Sequence, residues 1–484
     1  MYIKILIYLC ILPIIHLFWV SRVNNNKLNF TGLFWSLLIL FYNSIFLLTY
    51  NKNYNFQIFN YIKWLINSSH LNWGDLIITI DGLSIFFISL SILLIPICIM
   101  MSWKAIDNFK KEFLMSLFFI LILLIGVFTV MDIIVFYILF EAILIPMFLI
   151  IGVWGSREEK VKAAFYFFFY TLIGSLLMLI SIFKLYSITG TTNYFNLIII
   201  NIPSSLQFWM FLGFFASLSV KIPMIPFHIW LPQAHVEAPV AGSVLLAGIL
   251  LKLGGYGFLR FGFPLFPIAS EYFSPFIIIL SLIAIIYASF TTCRQTDIKR
   301  LIAYSSVSHM GLVTLAIFCH SKEGIIASII MMIAHGLVSS GLFMSSAVLY
   351  TRHHSRAIRY FRGITMTMPI FSLITLILIL ANIGFPLTFN FIAEFFSILT
   401  AFSYSKIAGL ITCLGALIST IYALYFYNRI YFGVLSPHLI NSREMLEFEF
   451  QAFLPLVFLT IFLGLFPNLV LEFIIPSSFI NISL

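Results

Sequence analysis

Long apolar stretches alternate with short polar segments from one end of the chain to the other. Each stretch is about 18 residues or longer, which is enough for an α-helix to cross a bilayer of about 30 Å. The pattern predicts an all-α polytopic membrane protein with about fourteen transmembrane helices. The stretches lie near residues 3–20, 30–49, 83–102, 113–130, 132–154, 163–187, 206–230, 239–262, 274–292, 298–319, 324–349, 365–401, 406–432 and 451–474.

Two of these stretches are interrupted. Residues 221–239, which follow the core of the seventh stretch, include a lysine, two histidines, a glutamate and four prolines. Residues 365–401 are too many for one crossing, and Gly384-Phe-Pro386 near their middle predicts a second broken helix. Non-helical backbone at membrane depth is tolerated only where protein buries it or water reaches it. Broken helices that carry titratable groups indicate ion movement, and protons are the first candidate because Lys and His can carry them.

The two interruptions fall in the seventh and twelfth stretches, five apart. That spacing predicts two five-helix units, and an odd number of helices makes consecutive units inverted in the membrane. We therefore expect N-terminal helices in residues 1–110, a first repeat in 111–262, a second, inverted repeat in 263–435 and a last helix in 436–484. Residues 5–20 show no small-residue cleavage site, so we expect a retained first helix.

Charge is scarce and lies mainly in the loops. The 484 residues are 62% hydrophobic and 9% charged, with a net charge of +9. The basic residues sit in short loops, so orientation by the positive-inside rule explains them better than nucleic-acid binding does. Loops after even-numbered stretches hold little beyond Lys52, Lys63, Lys322 and Lys406, so the odd-numbered loops should face the matrix or cytoplasm. Those loops hold Arg22, Lys27, Lys104, Lys110, Lys111, Arg157, Lys160, Lys162, Arg294, Arg352, Arg356, Arg359 and Arg362.

Three charged residues lie inside apolar stretches. Glu141 lies about nine residues beyond Asp132, where a helix should begin, although a helix end near the interface is the alternative. Lys221 and Lys252 could extend to the surface, but Lys252 is midway through its stretch. A charged lysine at a helix centre costs about 2.5–3.5 kcal/mol on insertion scales. Such residues therefore need a partner or a function.

Histidines and one further glutamate extend this set. His309 and His335 lie within the tenth and eleventh stretches, and the neighbouring intramembrane charges favour a proton relay over neutral core histidines. Glu394 follows the second interruption by about two turns and could serve as the exit group. His228 and His235 flank the first interruption and are harder to assign. No third ligand has the spacing of a metal site, and the chain shows no phosphate loop and no CxxC pair.

Four motifs are similar to a known family. The chain resembles the antiporter-like subunits of respiratory complex I (NADH:ubiquinone oxidoreductase), most closely the mitochondrial subunit 4 group. The resemblance covers about residues 80–435. The motifs are His228-Ile-Trp-Leu-Pro-Gln-Ala-His-Val-Glu-Ala-Pro239, Leu250-Leu-Lys-Leu-Gly-Gly-Tyr-Gly257, Ser305-Ser-Val-Ser-His-Met-Gly311 and Met332-Ile-Ala-His-Gly-Leu-Val-Ser-Ser340.

The resemblance implies one proton channel in the mitochondrial inner membrane and no cofactor in this chain. It implies that Glu141 and Lys221 form an intramembrane ion pair, that Lys252 is the central relay lysine, and that Glu394 stands where related subunits have glutamate or lysine. His309 and His335 resemble linking groups. FMN, iron–sulfur clusters, NADH and ubiquinone would belong to other subunits, and the partners would be neighbouring antiporter-like subunits and membrane lipids. A secondary cation/proton antiporter and a non-conducting structural spacer are the alternative functions.

Overall fold

The computed structural model describes residues 2–19, 25–52, 56–62, 76–437 and 442–479. Arg22, Lys63 and the predicted end of the first helix at Val20 lie outside these ranges. We number the helices α1 Tyr2–Trp19, α2 Asn25–Thr49, α3 Ser84–Met101, α4 Lys110–Thr129, α5 Ile133–Trp154, α6 Lys160–Thr189, α7 Tyr194–Ile199, α8 Ser204–Lys221, α9 Trp230–Glu237, α10 Val240–Leu265, α11 Pro267–Cys293, α12 Ile298–Phe318, α13 Lys322–His353, α14 Pro369–Ile383, α15 Phe389–Tyr404, α16 Lys406–Tyr431, α17 Glu447–Leu465 and α18 Asn468–Phe479.

The predicted all-α polytopic architecture is confirmed. Among the described residues, 12 helices are long and apolar enough to cross a membrane. The count of fourteen stays a prediction, because the helices of the two interrupted segments, α8, α14 and α15, are not among these 12. An antiparallel ribbon of β1 (Gln57–Ile62) and β2 (Leu76–Ile80) was not predicted from the sequence.

Both predicted breaks are present, and each follows from local chemistry. Helix α8 ends at Lys221, and Pro223 and Pro226 in the segment that follows lack the N–H that would continue it. Helix α14 ends at Ile383, and Gly384 then adopts a left-handed conformation with φ 75°. Glycine accepts this conformation without steric cost, so it is the usual residue just after a helix.

The core of the molecule is formed by α10, α12 and α13, in which almost every residue is buried. Helices α1, α2, α6 and α16 instead keep most of their residues partly or fully exposed. A helix that is apolar and covered all round belongs to the interior of a bundle. The three central helices carry Lys252, His309 and His335, so the fold places these groups away from the outer surface. The division into two inverted repeats stays a prediction.

Candidate proton-transfer site

Glu141 is set at depth by the start of α5. The Asp132 carboxylate accepts hydrogen bonds from the backbone N–H groups of Ile134 and Val135 at 3.0 and 3.1 Å, which caps the helix. Pro146 cannot donate to the carbonyl of Ala142, and the helix is interrupted at Ile143, two residues after Glu141. Glu141 is partly buried, and the Lys221 ammonium and the Ser175 hydroxyl lie near its carboxyl group.

Lys221 is the last residue of α8 and is buried. Its ammonium nitrogen lies 4.1 Å from the centre of the Phe140 ring and 3.5 Å from the Phe140 carbonyl oxygen. A cation over an aromatic face at this distance is attracted by the ring quadrupole. Glu141 Oε1 has no hydrogen-bond partner among the described residues. Glu141 and Lys221 are thus near each other, and Phe140 contacts the lysine. The predicted ion pair between Glu141 and Lys221 stays a prediction.

Lys252 lies in the centre of α10 between two π turns, Leu246–Leu250 and Phe258–Gly262. Such turns are rare and occur often at functional sites. The side chain is fully buried, and its ammonium donates to the carbonyl of Ala247 in the first π turn. Its nitrogen also lies 2.9 Å from Nδ1 of His335. When Lys252 carries its proton it can only donate, so Nδ1 is then the acceptor and the His335 ring is neutral.

A line of titratable groups continues from Lys252 to Glu394. The rings of His335 and His309 have centroids 5.6 Å apart. Nδ1 of His309 lies 3.5 Å from Oε1 of Glu394. Gly384 is essential to this geometry, because a Cβ there would collide with the Glu394 carboxylate. The structure therefore brings together four of the predicted residues, which we call the buried relay: Lys252, His335, His309 and Glu394.

His228 stands apart from the buried relay. It is buried within the first break and lies beside the rings of Tyr287 and Tyr304, with centroid distances of 5.7 and 6.3 Å. Among the described residues, no hydrogen bond joins its ring to Lys221 or Lys252. Its role as a relay group stays a prediction.

Several buried polar groups escaped the sequence interpretation. Arg260 forms a buried ion pair with Asp81, and its Nε lies 3.4 Å from the hydroxyl of Tyr256, which donates to the Phe128 carbonyl at 3.1 Å. Lys252, Tyr256 and Arg260 are four residues apart, so helical spacing could have revealed this polar face. Lys299 lies in the first turn of α12, close to a loop, yet it is buried and donates to the carbonyl of Ala238. No group of three or more His, Cys, Asp or Glu side chains suited to a metal ion occurs in the described ranges.

Comparison with known proteins supports the resemblance. Residues 130–419 match the family described as NADH:quinone oxidoreductase/Mrp antiporter, transmembrane. NADH-ubiquinone oxidoreductase chain 4 of Metridium senile is 55% identical over 96% of this chain and 95% of its own length. A chain of respiratory complex I from Thermus thermophilus superposes with a TM-score of 0.87 at 25% identity, covering 99% of this chain and 98% of that one. A chain of the Mrp complex from a Dietzia species has the same fold, with a TM-score of 0.87 at 17% identity over 99% of this chain and 97% of that one.

The chain therefore belongs to the antiporter-like membrane subunits of this family and, among them, to the NADH-ubiquinone oxidoreductase chain 4 proteins. The resemblance drawn from the four motifs is confirmed.

Proposed function

We propose that this chain translocates protons across the inner mitochondrial membrane as a multi-pass, membrane-arm subunit of respiratory complex I. The main support is the buried relay from Lys252 to Glu394. Lys252 Nζ lies 2.9 Å from His335 Nδ1, and His309 Nδ1 lies 3.5 Å from Glu394 Oε1. Charged side chains are rare inside membranes and occur mainly along ion and proton pathways. A spacer protein would gain nothing from burying four such groups side by side.

Lys221 and Glu141 supply the input in this proposal. A carboxylate about 4 Å from an ammonium stabilises it by about 4 kcal/mol at an effective dielectric constant of about 20. That energy corresponds to about a thousand-fold change in proton affinity. When Glu141 moves away, Lys221 becomes a better acid and passes its proton towards Lys252. When Glu141 approaches, Lys221 is recharged.

The relay then moves the proton by successive donations. The Lys252 ammonium gives a proton to Nδ1 of His335, to which it is already hydrogen-bonded. His335 releases a proton from its other ring nitrogen towards His309, and His309 passes one to Glu394, whose carboxylate is 3.5 Å away. A neutral imidazole suits this task because it accepts at one nitrogen while donating at the other.

The driving energy comes from outside this chain in our proposal. The chain is part of a multi-subunit NADH:ubiquinone oxidoreductase and itself carries no redox centre. FMN, iron–sulfur clusters, NADH and ubiquinone are held by other subunits. Its partners are adjacent antiporter-like subunits and membrane lipids, with no nucleic acid. Its odd-numbered loops face the matrix, as their positive charge favours.

The decisive variant is Lys252→Met in the assembled complex, reconstituted into liposomes. Methionine keeps much of the side-chain volume but cannot carry a proton. We expect proton uptake per assembled complex to fall, while Lys406→Met, at an exposed lysine, leaves it unchanged. Normal uptake in Lys252→Met would contradict the proposal. Sodium-dependent exchange by the isolated chain would instead favour the antiporter alternative.

A further inference from the structure

A cavity of about 710 Å³ opens where several odd-numbered loops meet. Its wall is formed by the ends of α3, α5 and α13, the starts of α10 and α12, and the segment that leads into α17. This volume lies within the range of about 300–1,000 Å³ that is typical of small-ligand sites. Five basic and two acidic side chains line the cavity: Lys104, Lys299, Arg352, Arg356, Arg443, Glu444 and Glu449.

Both glutamates of the cavity are already engaged by other groups. The Glu449 carboxylate accepts hydrogen bonds from Arg352 at 2.6 and 3.1 Å. The Glu444 carboxylate accepts hydrogen bonds from the backbone N–H groups of Ile370 and Phe371 at 3.1 and 3.3 Å, at the start of α14. The cavity therefore keeps a surplus of positive charge.

Four basic side chains of the lining form no ion pair with the residues that the structure describes: Lys104, Lys299, Arg356 and Arg443. Lys104 and Arg443 are exposed, so water screens their charges. Lys299 and Arg356 are each only 3% exposed. Burying a charge without a counter-charge is costly, so these two side chains call for a partner.

The hydrogen bonds of the two buried cations reach uncharged oxygen atoms. Lys299 Nζ donates to the Ala238 carbonyl at 3.0 Å. The two terminal nitrogens of Arg356 donate to the Val236 carbonyl and the Ser156 hydroxyl. Arg356 Nε has no hydrogen-bond partner within the described ranges. An anion in the cavity would supply both the missing acceptor and the missing negative charge.

Two nearby acidic side chains balance these charges only in part. Asp297 and Glu237 lie near Lys299 and Arg356, but the Arg157 guanidinium lies near them as well. The Asp297 carboxylate accepts the backbone N–H of Lys299 at 2.9 Å and so caps α12. Three cations thus stand against two carboxylates at the inner wall, before the exposed basic residues are counted.

The chemistry of the lining favours phosphate. A guanidinium presents its N–H groups in a planar fork that matches phosphate oxygens, and lysine is a further common phosphate ligand. Basic pockets between transmembrane helices on the matrix side also bind the phosphates of anionic lipid headgroups. Apolar side chains share the wall and suit the carbon atoms of a lipid; they include Met101, Ile106, Val240, Leu446 and Phe448.

We propose that this cavity binds a phosphate-bearing anion, with Arg356 and Lys299 at its inner wall and Lys104 and Arg443 nearer to solvent. An oxygen of the anion accepts the hydrogen bond from Arg356 Nε, and its charge offsets those of both buried cations. The phosphate belongs either to a free phosphate compound or to an anionic phospholipid, because both present the same oxygens. The inference does not depend on the proposed proton translocation.

A thiol placed in the lining reports on this cavity alone. Ala105→Cys, at an exposed lining position, is assembled into the complex, delipidated in detergent and labelled with a sulfonate-bearing thiol reagent, which the basic lining attracts. One arm adds inorganic phosphate, with chloride at equal ionic strength as its control. The other arm compares phosphatidylcholine nanodiscs with nanodiscs that also contain phosphatidylglycerol.

We expect labelling of Ala105→Cys to slow several-fold in at least one arm. Slowing by phosphate alone assigns the site to a free anion, slowing by phosphatidylglycerol alone assigns it to a lipid headgroup, and slowing in both shows that it takes either. Unchanged labelling in both arms overturns the proposal.

Substituted arginines test the assigned residues in the same assay. Arg356→Gln should require roughly ten-fold more anion for half-maximal slowing, the change expected when a hydrogen bond to a charged group is lost. Arg443→Gln, at an exposed position, should require more anion without disturbing the fold, and Arg359→Gln, at an exposed arginine outside the lining, is the matched control. Unchanged slowing in Arg356→Gln and Arg443→Gln, or an equal loss in Arg359→Gln, would refute the site. Electron cryomicroscopy of the unsubstituted complex needs no variant, and a lack of density beside Arg356 in the arm that slows labelling would also refute it.

Discussion

The ion pair between Asp81 and Arg260 provides a sharp test of the interior electrostatics. The two side chains are 1% and 4% exposed, respectively. Replacing Asp81 with Asn leaves the guanidinium buried without a counter-charge. Removing one partner of a buried pair typically costs about 3–5 kcal/mol. We expect Asp81→Asn to reduce the amount of assembled complex and to lower its thermal stability.

The chain contains a matched control for this prediction. Lys52 and Glu472 also form an ion pair, but their side chains are 43% and 54% exposed. Exposed pairs contribute about 0–1 kcal/mol, so Glu472→Gln should change little. The double variant Asp81→Leu/Arg260→Met should recover much of the stability lost in Asp81→Asn, because apolar side chains of similar size often replace a buried pair at little cost.

The assay is the temperature at which half of the purified complex loses NADH:ubiquinone activity, together with its abundance on native gels. Asp81→Asn should lower both, and Glu472→Gln should lower neither. Equal inactivation temperatures and abundances of the two single variants would show that burial of the Asp81–Arg260 pair does not make its disruption more costly. A double variant as impaired as Asp81→Asn would show that the unpaired charge is not the cause.

Two further predictions concern the transfer residues. Gly384→Ala places a methyl group against the Glu394 carboxylate, and it forces alanine into a left-handed conformation that costs about 1–2 kcal/mol. We expect slower proton uptake with a smaller effect on assembly. Uptake equal to that of the unsubstituted complex would contradict the need for space between residue 384 and the Glu394 carboxylate. Phe140→Leu removes the ring over Lys221, a contact worth about 0.5–2 kcal/mol. Freed from the ring, Lys221 should approach Glu141, and proton uptake measured against NADH oxidation should change, whereas Phe183→Leu on the exposed face of α6 should have no effect.

Sequence patterns were sufficient for the outline of the fold and for part of the site. Apolar length located the helices, and prolines with Gly384 located both breaks, because these signals act locally. The titratable groups of the buried relay could be named because charge inside an apolar stretch is conspicuous. Their mutual contacts could not be predicted, since Lys252, His309 and Glu394 come from helices far apart in sequence.

Other features were missed because they depend on packing between distant segments. The π turns around Lys252 have no signature in hydropathy. Nothing in the sequence distinguishes Phe140 from its apolar neighbours, but in the structure its ring lies against the Lys221 ammonium. Lys299 lay near a predicted helix end, yet the segment before α10 buries it. Helical spacing from Lys252 to Arg260 was the one missed signal that the sequence did contain.

The short contact between Lys252 and His335 also limits how many protons the two side chains can hold at once. Two positive charges 2.9 Å apart would repel by about 6 kcal/mol at an effective dielectric constant of about 20. The pair can therefore share one excess proton but not hold two. If the proposed relay operates, protons would cross this contact one at a time, because a second proton could enter only after the first had left. The contact between Lys252 and His335 would then accept a new proton only after the previous proton had moved on.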